Sequence, residues 1–196
     1  MAVVEVQQVW KAFNSRTVVQ DVSFTVADGE ILGLVGPNGA GKTTTIRMLL
    51  DIIKPDHGQV LLFGQSFCAQ HRKLLGYMPE ERGLYRNLLV QETLEYLGTL
   101  KGMDRAMARE GAQAMLDRVG MSPHRNAKVG ELSRGMAQLI QFAATIIHRP
   151  RLIVMDEPFS GLDPVNPRML EDILLGMRPQ GAGIILSTHQ MNQVEE

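Results

Sequence analysis

The stretch "GPNGAGKT" at residues 36–43 constrains the fold of this chain more than any other of its length. The apolar run "EILGLVG" precedes it and stops at its first glycine. Ile46, Leu49, Leu50 and Ile53 follow at the i, i+3, i+4, i+7 spacing of one helix face, and Pro55 is expected to end that helix. A strand, a glycine loop and a helix with the pattern G-x-x-x-x-G-K-T make a phosphate-binding loop. Gly36, Gly39 and Gly41 permit backbone angles that a side chain blocks. Successive N–H groups of Pro37's neighbours, Asn38, Ala40 and Thr44 can then converge on phosphate oxygens at the positive end of the helix. Lys42 would reach the β- and γ-phosphates, and the Thr43 hydroxyl would ligate Mg²⁺. The plain alternative is a glycine-rich turn with a surface lysine.

A loop of this kind belongs to an α/β fold, and the rest of the chain fits one. Residues 3–9 and 18–26 read as strands with partial alternation, and "ADGE" at 27–30 as the turn after them. "GQVLLFG" and "LLGYMP" read as two more strands. Residues 86–148 then carry only helical spacing. Val90, Leu94 and Leu97 share one face, Ala108, Ala112, Met115, Leu116 and Val119 another, and Met136, Ile140, Ala143 and Ile147 a third. After Pro150, "RLIVMDEP" and "GIILSTH" return to strands. The expected architecture is an α/β P-loop NTPase core with an antiparallel β subdomain and an inserted all-helical subdomain. The core would take residues 1–85 and 149–196, and the helical lobe residues 86–148.

Three further places carry candidate chemistry. The strand "LIVMDEP" ends in two carboxylates, Asp156 to hold Mg²⁺ and Glu157 to orient or deprotonate an attacking water. Alone, a strand ending in Asp-Glu is often just a solvated strand end. His189 lies one residue beyond the last strand, where open α/β sheets bind ligands, although a lone His there is commonly a surface or capping residue. In "ELSRGMAQ", residues 131–138, Ser133 and Gly135 open an apolar helix and offer bare N–H groups to an anion. An ordinary serine cap has the same look. Met136 at the third helical position is neither Glu nor Gln, so no capping box is expected there.

Composition removes several function classes. Lys plus Arg number 20 against 21 Asp plus Glu, so there is no basic footprint for nucleic acid. Cys68 is the single cysteine, which rules out a disulfide framework or a cysteine-rich metal site. No apolar run nears the roughly 18 residues of a membrane span, and the N-terminus does not read as a signal peptide. A cytoplasmic chain without direct membrane insertion is expected.

Together these motifs resemble the ATP-binding subunits of ABC transporters, in the family's order and over essentially the whole chain. "LSRGM" at 132–136 resembles the family's signature, "LIVMDEP" its Walker B strand, and "SGLDP" at 160–164, with Asp163, its D-loop. His189 stands at its switch histidine, and Phe13 where the family stacks an aromatic on adenine; read alone, Phe13 is equally a sheet-core residue. The resemblance implies ATP and Mg²⁺ as ligands and ATP hydrolysis as the activity. It implies a head-to-tail dimer, most simply a homodimer, in which Ser133 and Gly135 face the partner's nucleotide. It also implies an integral membrane permease as partner, placing the chain on the inner face of the membrane. In wording the motifs are most similar to drug- or sodium-efflux subunits. Arg134 and Met136 depart from the family signature. Glu80, in "GYMPEERGLY", replaces the usual glutamine and is expected near Mg²⁺ as a ligand or a water acceptor. The chain stops at Glu196, earlier than family members usually do, so a missing last core segment is expected. A soluble ABC protein acting on ribosomes or DNA would carry a second domain or a long coiled coil, and neither is visible. A regulatory subunit without turnover would not need Glu157.

Overall fold

The computed structural model describes residues 1–81, 83–159 and 166–189. Two sheets organise it. The first is antiparallel, with strand β1 (Ala2–Phe13) between β2 (Arg16–Ala27) and β4 (His57–Leu62). The second is parallel, in the order β3 (Ile31–Val35), β7 (Gly183–Thr188), β6 (Leu152–Asp156), β5 (Leu75–Met78). Parallel neighbours need long crossovers, and the connection from β5 to β6 is the helical block. It holds α2 (Val90–Leu100), α3 (Arg105–Arg118) and α4 (Arg134–Ile146).

A parallel sheet has to be covered on both faces, which is why β6 is buried at every residue. Its side chains alternate between two cores. Ile153 and Met155 join Met78, Leu94, Leu116, Phe142 and Ile184 on the helical side. Leu152 and Val154 join Leu75, Ile185, Ile46, Leu49 and Leu62 on the side of the antiparallel sheet and α1 (Lys42–Leu49).

Three features differ from the sequence reading. Helix α1 ends at Leu49 and does not continue to Pro55, because Asp51 turns left-handed (φ 59°) and the N–H groups of Ile52 and Ile53 both return to Arg47 O. Ile53 still packs on the core, so its helical spacing marks a face and not helix length. Strands β1 and β2 run past the expected residues to meet in a two-residue turn, Asn14 and Ser15, both at positive φ. That geometry matches the twist of a hairpin without the usual Asn-Gly pair. Helix α5 (Asn166–Leu175) falls where no element was read, although Leu170, Ile173 and Leu174 have the spacing.

Helix α4 lies directly on β5. A Cβ at Gly76 would come within 2.4 Å of Thr145 O. At the same end of β5, Lys101, just after α2, donates to Arg72 O and Leu75 O, and His148 Nε2 meets Leu75 O. Burial, then the Lys101 charge, push the His148 imidazole down to about 4, although its bond to Leu75 O acts the other way. Gly76→Ala should therefore lower unfolding stability by about 1–3 kcal/mol, the usual range for overpacking. Urea denaturation measures it, and an unchanged midpoint would show that α4 can lift off β5 freely.

Candidate functional site

Four neighbouring strands deliver the site from their carboxyl ends, where open α/β sheets bind ligands. The loop 36–41 leaves β3, His189 follows β7, Asp156 and Glu157 end β6, and Glu80 follows β5. Register aligns them: Val35 pairs with Thr188, Asp156 with Ser187, and Met78 with Met155. A cleft of about 270 Å³ lies over these ends. Its lining includes Asn38, Gly39, Ala40, Gly41, Lys42, Thr43 and Thr44, together with Glu80, Asp156 and Glu157.

The loop has the shape its glycines permit. Gly41 sits at φ 90°, and a Cβ there would come within 2.6 Å of Val18 O. Gly39 sits at φ 82° with open space around it. Helix α1 starts at Lys42 without a side-chain cap, so its first N–H groups are available at the cleft. Lys42 Nζ donates to Gly36 O at 2.6 Å and Pro37 O at 3.2 Å.

The carboxylates are held differently. Asp156 is 1% exposed. It accepts from Thr43 Oγ1 at 2.7 Å and from Ser187 Oγ. A buried charge needs such partners. Its field, after burial itself, raises the Tyr77 phenol above the ordinary range. Glu157 is in the left-handed region (φ 52°), and its N–H bonds Ser187 O at 3.1 Å and Ser187 Oγ at 3.3 Å. Left-handed backbone at a non-glycine residue is the kind of strain that clusters at functional sites. Its Oε1 is buried with no hydrogen bond of good geometry, and faces His189 Nδ1 at 2.9 Å and Lys42 Nζ at 3.9 Å.

Thr43 and Asp156 offer hard oxygen donors side by side, and Glu80 lines the same cleft. No cluster of three or more His, Cys, Asp or Glu side chains arranged for a metal occurs among the described residues. Two protein oxygens in a phosphate-binding cleft suit Mg²⁺, which commonly takes one or two protein ligands and fills its shell from phosphate and water.

Other expected residues lie apart. Phe13 ends β1 at 45% exposure with Lys11 Nζ 5.6 Å from its ring centre, and it is not part of the cleft lining. Ser133 and Gly135 are at the start of α4, also outside that lining. Ser133 is the N-cap, and its Oγ accepts from Met136 N at 3.3 Å. Asp163 lies outside the described residues. The sequence reading passed over Ser187, which touches both carboxylate-bearing residues. The signal was a serine near the end of an apolar strand, two residues before a histidine.

Comparison with known proteins gives a consistent picture. The ABC transporter family model matches residues 19–160. The chain is 42% identical over 192 residues to an uncharacterised ABC transporter ATP-binding protein of Methanocaldococcus jannaschii, covering 98% of this chain and 70% of that one. It is 38% identical over 195 residues to the Nod factor export ATP-binding protein I of Rhizobium sp. (strain N33), covering 98% and 64%. A solved structure of the ATP-binding subunit of an ABC transporter superposes with a TM-score of 0.91 at 30% identity, covering 98% and 82%. Against three relatives the chain spans 61–70% of their length.

Ser187→Ala removes a hydroxyl that donates to a buried carboxylate. It should lower unfolding stability by about 1.5–3 kcal/mol, the range for hydrogen bonds to charged groups. Chemical denaturation measures this, and a loss under about 0.5 kcal/mol would show that Asp156 does not depend on Ser187.

Proposed function

The chain belongs to the ABC transporter family, and from that premise we propose that it binds and hydrolyses ATP to drive transport by a membrane partner. The observation that carries this reading is the convergence of Lys42, Thr43, Asp156 and Glu157 on one cleft, with His189 against Glu157. Lys42 and the N–H groups of the loop grip the phosphates. Thr43 and Asp156 hold Mg²⁺, which when bound neutralises charge on the phosphate oxygens; Glu80 contributes from the same cleft. Glu157 Oε1 is the acceptor that orients the attacking water and takes its proton. His189, at 2.9 Å, fixes that carboxylate. Phe13, exposed at the end of its hairpin, stacks on adenine, with Lys11 beside it.

Ser133 and Gly135 stand outside this chain's own cleft, which supports their use by a second copy. Two chains associate head to tail, and each signature helix, with Asp163, closes over the other's ATP. Residues 1–85 and 149–196 act as the nucleotide-binding core and residues 86–148 as the lobe that moves. A second cleft, lined by Pro79, Leu84, Leu97, Leu100, Lys101 and Ala144, is mainly apolar and lies beside the Glu80 loop. It receives the permease, so that motion of that loop reaches the membrane. No helix among the described residues is long and apolar enough to cross a membrane. The motif wording and the export name of the Rhizobium relative favour efflux, with a drug or sodium as cargo.

Glu157→Gln tests the central step. Phosphate release should fall by about 10² to 10⁴, the usual cost of a lost general base, with ATP binding retained. The same variant should collect as an ATP-bound dimer on gel filtration, and adding Ser133→Arg should abolish that dimer. Near-normal turnover of Glu157→Gln would move the base to His189. A dimer that survives Ser133→Arg would contradict the head-to-tail arrangement.

A further inference from the structure

Two buried amides on α4 hold the loops that carry Glu80 and Glu157. Gln138 Nε2 donates to Pro158 O at 3.0 Å. Gln141 Nε2 donates to Pro79 O at 2.8 Å and to Glu81 O at 3.3 Å. The two side chains are three positions apart, so they share a helix face. They are 3% and 4% exposed. The carbonyls held by Gln141 belong to the residues on either side of Glu80, whose side chain lines the phosphate cleft. The carbonyl held by Gln138 follows Glu157 directly.

Packing does not account for an amide at position 141. It lines the apolar second cleft together with Leu84, Leu97, Leu100 and Ala144. Gln141 Oε1 is buried with no partner. Leucine or methionine would fill that space without an orphaned acceptor. Flipping the amide would turn its oxygen onto two carbonyl oxygens, so the acceptors themselves fix its orientation. What the amide alone supplies is a grip on the backbone around Glu80.

The helix that grips is itself fixed. Gly76 lets Thr145 O approach β5 closely, and Thr145 Oγ1 lies 3.5 Å from Tyr77 O. At its other end stands the Ser133 cap. One rigid element thus joins the signature end to both carboxylate loops.

We propose that Gln141 is the positioning residue through which α4 sets Glu80 against the nucleotide, with Gln138 holding the Glu157 loop in the same way. The proposal rests on the ATPase reading above and gives it a link between the signature helix and the cleft.

Gln141→Leu fills the site without a donor, and Gln141→Met is a second, unbranched replacement. Hydrogen exchange of the Glu80 and Glu81 amides, followed without nucleotide, should be faster by about fivefold or more in both variants, the factor that one ordinary hydrogen bond supports. Turnover should show a split: kcat reduced by about fivefold, and KM for ATP within about twofold, because Lys42 and its loop are untouched. Gln141→Leu combined with Glu80→Gln should be no slower than the slower single variant, since both remove the same placement of one carboxylate. Gln138→Met should raise exchange of the Glu157 and Phe159 amides. Unchanged exchange and kcat in both Gln141 variants would overturn the proposal. So would a double variant whose losses multiply, or Glu80→Gln turning over like wild type while Gln141→Leu does not. A wild-type chain no faster than Lys42→Ala would instead sink the ATPase reading, and the exchange data would still decide whether Gln141 holds the loop.

Discussion

Strand β6 has apolar layers on both faces, so it can place polar groups only at its ends. Asp156 is its last residue and Glu157 the first beyond it. Burying Asp156 there carries a desolvation cost that hydrogen bonds from Thr43 and Ser187 offset. Those two donors come from α1 and β7, so one carboxylate ties the phosphate-loop helix to the central strands. Glu157, one step on, is turned left-handed with its N–H on Ser187. The chemistry of the cleft follows from where the buried strand has to stop.

The parts of the site legible in the sequence are those written in local spacing. The loop 36–43 needs only its glycines, a strand before it and a helix after it. "LIVMDEP" is an apolar run with charge at one end, and burial on both faces produces that pattern. His189 was weak in isolation because its meaning depends on a partner 32 residues earlier, Glu157, at 2.9 Å. Ser187, Gln138 and Gln141 were not read at all. Each is a polar residue in or at the end of an apolar run, and only the tertiary contact reveals its acceptor. Fold lengths failed for a different reason. The end of α1 is set by the left-handed turn at Asp51, and the β1–β2 hairpin by positive φ at Asn14 and Ser15. None of these residue types demands those angles.

Helix α4 explains why one chain carries two helix starts suited to an anion. The start of α1 opens into the cleft of its own chain, and the start of α4 does not. The body of α4 is buried from Ala137 to Ala143 and again at Thr145 and Ile146, which makes it a strut and not a surface helix. A contact made at Ser133 is therefore carried by a rigid rod to the loops at Pro79 and Pro158. In the proposed head-to-tail dimer, that rod would let a neighbour's nucleotide bias the placement of this chain's carboxylates.

The central claim is that the four strand ends form a site for a nucleoside triphosphate gripped by its phosphates. Calorimetric titration of the purified chain with ATP, ADP and AMP in the presence of Mg²⁺ tests it most directly. The account predicts that ATP and ADP bind and that AMP, lacking the β-phosphate Lys42 would reach, binds at least about a hundredfold more weakly, the loss of two or more charge-assisted hydrogen bonds. AMP binding as tightly as ATP, or no binding of any of the three, would contradict it.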